Sequence, residues 1–144
     1  MTGSKLGGAE AWYYKLTKEN HFLPDVTSIP EDVARRAKLM LVSLPQPRGQ
    51  HRHAGALRRN LDFCRKYDIL LVHDNAYSDY YLDGAHGGSI FNTPGAGECA
   101  VEFFSLSKSF NVTGARISFL VGRRDVIAAC KKLRTQIDFG MFLP

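Results

Sequence analysis

No apolar run in this 144-residue chain reaches the roughly 18 residues that a helical membrane span needs, so a membrane is not expected as a partner. The opening Met1-Thr2-Gly3-Ser4-Lys5 has none of the apolar core of a signal peptide. Cysteine is scarce, odd in number and widely spaced, at Cys64, Cys99 and Cys130. That pattern argues against a disulfide framework and a zinc site, and it reads as reduced thiols of a cytoplasmic protein. Internal repeats and low-complexity tracts are absent. The net charge of +5 permits anionic ligands, but no aromatic-rich basic stripe accompanies it, so nucleic acid is not expected either. With 44% hydrophobic and 23% charged residues, the length suits one domain.

Residues 1–10 are expected as a flexible or truncated start, and 11–144 as a single α/β domain. The aromatic-rich stretch 11–16 reads as a strand, and 17–28 as a loop. Pro30 opens a helix, with Glu31 and Asp32 in its first turn and Arg35, Arg36 and Lys38 near its end, as the helix dipole favours. Residues 39–43 read as a buried strand and 44–49 as a loop. A helix is expected from about Arg52 to Tyr67, with Ala54, Leu57, Leu61 and Cys64 on its apolar face. Further buried strands are expected at 69–73, 101–106 and 117–121, with a glycine-rich irregular stretch at 84–97. A last helix from about Asp125 should bury Val126, Cys130, Leu133 and Ile137.

Strands alternating with helices predict an α/β fold, a mostly parallel sheet flanked by helices. The link from Lys108 to Ile117 is too short for a helical crossover, so the fourth strand should run antiparallel to the third. Ligands of such sheets bind beyond the carboxyl ends of the strands. Asp74 and Ser105 both fall there.

Two segments at those ends carry the chemistry. One is Ile69-Leu70-Leu71-Val72-His73-Asp74-Asn75-Ala76-Tyr77, where an acid and a phenol close an apolar run. The other is Ser105-Leu106-Ser107-Lys108-Ser109-Phe110-Asn111-Val112-Thr113-Gly114-Ala115-Arg116. Together they offer a nucleophilic amine, hydroxyls and a guanidinium for a phosphate, and an acid to keep a ring nitrogen protonated. Pyridoxal 5'-phosphate (PLP) needs that set. Lys108 must present a neutral amine, which calls for burial and nearby positive charge. The bland readings are a solvated loop lysine and a helix-capping or turn aspartate, for which Asp79 and Asp83 are better candidates. His51 and His53 lack a third metal ligand nearby and read as a solvated helix start. His73 points to the strand face opposite Asp74, either behind the site or in the core.

These segments, with Asn20-His21-Phe22-Leu23-Pro24-Asp25 and Ile29-Pro30-Glu31-Asp32-Val33-Ala34 upstream, resemble the class I/II aminotransferases of the PLP-dependent fold-type I superfamily. The diaminopimelate and alanine aminotransferase-like subgroup is the most similar. The resemblance implies amino group transfer between an amino acid and a 2-oxo acid through a Schiff base on Lys108. Asp74 would pair with the pyridine nitrogen, and Tyr77 would hydrogen-bond the ring's phenolic oxygen. Ser105, three before the lysine, and Arg116, eight after it, would hold the phosphate, joined by Ser107. Where the family has Asn-Pro-Thr-Gly, this chain has Gln46-Pro47-Arg48-Gly49. Gln46 keeps the amide on a side chain one methylene longer and is carried over as a cofactor contact.

The resemblance covers only the central part of the family's large domain. The glycine turn completing the phosphate cup, the aromatic stacked on the ring and the arginine holding the substrate carboxylate are all missing. A tyrosine from a partner subunit is missing too, in a family where a homodimer is expected. An incomplete aminotransferase is therefore the leading expectation. The alternatives are a non-catalytic α/β remnant that binds PLP weakly or acts through a partner, and a receiver-like phosphate-sensing domain with Asp74 as phosphoacceptor. The last fits poorly, because Val42-Ser43-Leu44 supplies no acidic pair for a metal.

Overall fold

The structure is a computed structural model and describes residues 2–43, 50–78, 88–138 and 140. In chain order it contains α1 (Thr2–Leu6), α2 (Glu31–Arg36), β1 (Leu39–Val42), α3 (Gln50–Lys66), β2 (Leu70–Asp74), β3 (Ala100–Ser105), α4 (Leu106–Ser109), β4 (Ser118–Gly122) and α5 (Arg124–Arg134). One four-stranded sheet has the order β1-β2-β3-β4. The β1–β2 and β2–β3 pairs are parallel, and β3–β4 is antiparallel, as the short return link requires.

The core forms where α3 lies on the sheet. Ala56, Leu57, Leu61 and Cys64 are buried at helical spacing, and they cluster with Met40, Val42, Leu71 and Ala100. Alternation along each strand places those four sheet residues, with His73 and Glu102, on one face. Asp68 ends α3 in the left-handed conformation, at φ 54°. Ile69 N then donates to Cys64 O at 2.8 Å, closing a Schellman-type turn that feeds directly into β2.

The second sheet face keeps Val72 and Val101 buried at its centre. Leu39, Leu41 and Phe103 on that face stay exposed, at 55%, 38% and 39%. β1 is thus half-buried, and β4 alternates between exposed and intermediate positions, where buried strands were expected.

Other expectations also change. Residues 11–16 form no strand. A strand persists only where a neighbouring edge accepts its ladder, and here the connection to β1 is a side-chain one, Tyr14 OH donating to Leu41 O at 2.8 Å. Ala54 is exposed at the outer end of the α3 stripe. No residue of α5 is buried; Leu133 is 61% and Ile137 67% exposed. Helical periodicity aligns those side chains but does not supply the surface that covers them.

Gly122 ends β4 at φ 130°, where a Cβ would stand 2.4 Å from Ala100 O and 2.8 Å from Val101 Cα. Only glycine lets β4 approach β3 so closely.

Candidate active site at the carboxyl ends of the strands

β2 delivers Asp74 to the sheet's carboxyl edge, opposite Phe103 of β3. Asn75 N donates to Phe103 O at 3.0 Å, extending the pairing by one step. The chain then turns through Ala76 and Tyr77, closed by Ser78 N donating to Asn75 O at 3.2 Å. Asp74 is exposed, and it faces away from α3 because His73 and Asn75 face toward it.

β3 ends at Ser105, whose hydroxyl caps α4 by accepting from Ser107 N at 3.2 Å. That single turn carries Lys108. Its Nζ lies 5.5 Å from the centroid of the Tyr77 ring, so the two sequence segments meet in space. The return to β4 passes through Asn111 and Arg116, both in the left-handed region at φ 54° and 55°. Such conformations are uncommon for residues other than glycine and cluster where a side chain must be aimed. Leu106 N donates to Ile117 O at 3.2 Å and Ser105 pairs with Ser118, so the loop from α4 to Arg116 closes on itself. Thr113 Oγ1 donates to Ser107 O at 3.3 Å, and Arg116 Nη1 donates to Thr113 O at 3.1 Å. Thr113 thus ties α4 to Arg116.

Ser105, Ser107, Lys108 and Arg116 are therefore gathered by one loop, and Tyr77 and Asp74 come from the neighbouring strand end. Lys108 is exposed, against the burial expected for a reactive amine. Gln46, Asp79 and Asp83 lie outside the described residues, as do the side chains of His51 and His53.

A further group escaped the reading of the sequence. Glu102 is fully buried. Its Oε1 accepts from His73 Nδ1 at 2.7 Å, Asn75 Nδ2 at 2.8 Å and Ile90 N at 3.2 Å. Its Oε2 accepts from Ser89 Oγ. Burying a carboxylate is costly unless donors surround it, and four do. A carboxylate oxygen only accepts, so the His73 contact places a proton on Nδ1. His73 Nε2 has no hydrogen-bond partner among the described residues. The available sequence signal was the acid itself, set in the apolar run Ala100-Val101-Glu102-Phe103-Phe104.

The donor set fits a phosphorylated aldehyde on a nitrogen heterocycle. It holds one amine for the carbonyl, hydroxyls and a permanent cation for the phosphate, and an acid for the ring nitrogen. Ser105 and Arg116 rest on backbone partners, and the guanidinium keeps further N–H groups to offer. Among the described residues no cluster of three His, Cys, Asp or Glu could hold a metal ion, and no helix is long and apolar enough to cross a membrane.

Comparison with known proteins agrees with this chemistry. The family model for aminotransferase class I and II matches residues 2–140. The LL-diaminopimelate aminotransferase of Syntrophobacter fumaroxidans is 43% identical over 136 residues, covering 94% of this chain and 35% of that protein. The Moorella thermoacetica enzyme of the same name is also 43% identical, over 97% of this chain and 36% of its own length. Among solved structures, substrate-bound BacF from Bacillus subtilis superposes with a TM-score of 0.88 at 31% identity, over 98% of this chain and 36% of that one. A probable N-succinyldiaminopimelate aminotransferase from Thermus thermophilus gives a TM-score of 0.86 at 32% identity, over 98% and 38%. The chain thus spans about a third of the length of these relatives. It has the fold-type I architecture and belongs to the class I and II aminotransferases, a family whose cofactor is pyridoxal phosphate.

Proposed function

We propose that this chain carries the cofactor-holding part of a PLP-dependent aminotransferase that moves an amino group between an amino acid and a 2-oxo acid. The observation that carries the reading is the approach of the Lys108 amine to the Tyr77 ring across two neighbouring strand ends. Lys108 Nζ would hold the cofactor covalently and, when free, would carry the proton between the substrate α-carbon and the cofactor carbon. The cofactor supplies the electron sink that makes that proton removable. Asp74 keeps the ring nitrogen protonated, and Tyr77 donates to the ring oxygen. Ser105, Ser107 and Arg116 hold the phosphate, and Gln46 is proposed as a second contact to the ring oxygen.

The relatives named for LL-diaminopimelate make a diamino dicarboxylic acid the donor to try first. Among the described residues no cation is assigned to the substrate carboxylate, and a homodimer is the proposed assembly. A second reading, cofactor attachment without turnover by the chain alone, is favoured by the exposure of Lys108 and by the third of the relatives' length that is present. The test is borohydride reduction after adding PLP, followed by peptide mapping. Label on Lys108, lost in Lys108→Ala, supports the assignment. Label spread over the other lysines defeats it.

A further inference from the structure

We propose that Glu102 is a positioning residue, a register lock that holds Asp74 on the site face of the sheet. This rests on the assignment of Asp74 and Lys108 to a PLP site. A buried acid with four donors could merely satisfy its neighbours. What sets Glu102 apart is which neighbours they are. His73 and Asn75 are the residues immediately before and after Asp74, and both donate to the same oxygen, Oε1. With both flanking side chains pinned to the α3 side, strand alternation leaves Asp74 only the opposite side. Ser89 and Ile90 tie in the start of the 3-10 turn Ile90–Asn92 from a third direction.

The apolar residues cannot do this alone. β1 is Leu39-Met40-Leu41-Val42, and β2 begins Leu70-Leu71-Val72, apolar on both faces. A strand apolar on both faces specifies its register weakly, because a slip by one residue exchanges one apolar side chain for another. At the end of β2 the same slip would place the Asp74 carboxyl against Glu102, acid facing acid in a buried layer. The polar partners thus make the register discriminating, which is a documented use of buried polar groups. Glu102 also lies on the strand that leads into Lys108. One side chain therefore sets the end carrying Asp74 and Tyr77 against the end carrying the amine.

The test uses Glu102→Gln and Asn75→Ala in this chain, with Asp74→Asn as reference. The amide form of Glu102 offers one acceptor oxygen to four donors, and Asn75→Ala removes one donor while leaving three. The first measurement needs no cofactor. Hydrogen exchange at the Asn75 amide, which is bonded to Phe103 O, should quicken about tenfold or more, the factor for losing one hydrogen bond to a charged group. The α3 amides at Leu61 and Cys64 should hold their rates. Unchanged exchange at Asn75, equal acceleration across α3, or failure of both variants to fold overturns the lock.

The second measurement is the circular dichroism of the absorption band of bound PLP, which reports how the ring is held. It should fall about twofold or more in both variants, toward the Asp74→Asn value, while borohydride still labels Lys108. Wild-type dichroism in both variants overturns the positioning role. If wild-type chain never labels at Lys108, the cofactor assignment fails, and the exchange rates still decide the register lock.

Discussion

The Lys108 amine stands over the Tyr77 ring at 5.5 Å from its centroid, and the two arrive there from the ends of different strands. β2 contributes the phenol and β3 the amine, and the parallel register Asp74 to Phe103 brings them together. The contact predicts that the ring shields the amine. Tyr77→Ala should raise the labelling rate of Lys108 by a small amine-reactive reagent about twofold, in the absence of PLP, with other exposed lysines unchanged. The energy at stake is only about 0.5–1 kcal/mol for an exposed pair, so folding should not suffer. Mass mapping after brief labelling measures it.

Arg116→Ala should weaken PLP binding more than Arg123→Ala or Arg124→Ala. Arg116 ends the loop that gathers the hydroxyls and the lysine. Arg123 is already committed to Asp125, with Nε and Nη2 both at 2.8 Å. Loss of a charge-assisted hydrogen bond costs about 1.5–3 kcal/mol, a drop in affinity of roughly tenfold or more. Titration of the three variants measures it, and equal losses would mean general attraction of an anion to a basic chain.

Turnover by the chain alone should be very slow even with excess PLP. Asp74 and Lys108 serve the cofactor and the proton, but nothing among the described residues fixes a substrate carboxylate. Correct placement of a reacting group accounts for about 7–11 kcal/mol of barrier lowering. A coupled assay with LL-diaminopimelate, alanine, glutamate and aspartate as donors tests this. Rates of about 1 per second or more, abolished by Lys108→Ala, would show that the rest of the relatives' length is dispensable.

Gly122→Ala should destabilise the chain by about 1–3 kcal/mol, since the added carbon meets backbone atoms of Ala100 and Val101 at a φ that side chains rarely adopt. Thermal unfolding measures it, and a midpoint equal to wild type would show that β4 can shift away from β3 at little cost.

The Cys64 thiol, buried between α3 and the sheet, is pushed up from its ordinary 9.0 to about 12, chiefly by burial. Its folded form stays protonated where the unfolded thiol ionises, so the unfolded state binds fewer protons above pH 9. The associated stability is fully present below pH 9 and is lost as pH rises from 9 to about 12. Denaturant midpoints at pH 8 and pH 10.5 should therefore diverge more in wild type than in Cys64→Val. A thiol reagent at pH 8 should reach the half-buried Cys99 and Cys130 before Cys64.

Much of this protein was legible in local sequence. The spacing of Ser105, Lys108 and Arg116 belongs to one loop, and a loop's geometry follows from its own residues. The antiparallel turn of β4 followed from a link too short for a crossover. The buried stripe Leu57, Leu61 and Cys64 followed from helical periodicity. Tertiary structure decided the rest, because periodicity says which side chains share a face and not what meets that face. Leu133 and Ile137 stay exposed for want of a covering surface, and residues 11–16 stay out of the sheet for want of a ladder. Glu102 finds His73 and Asn75 only once β2 and β3 lie side by side in one register. Hydrogen bonds across strands join residues far apart in sequence, and no local pattern encodes them.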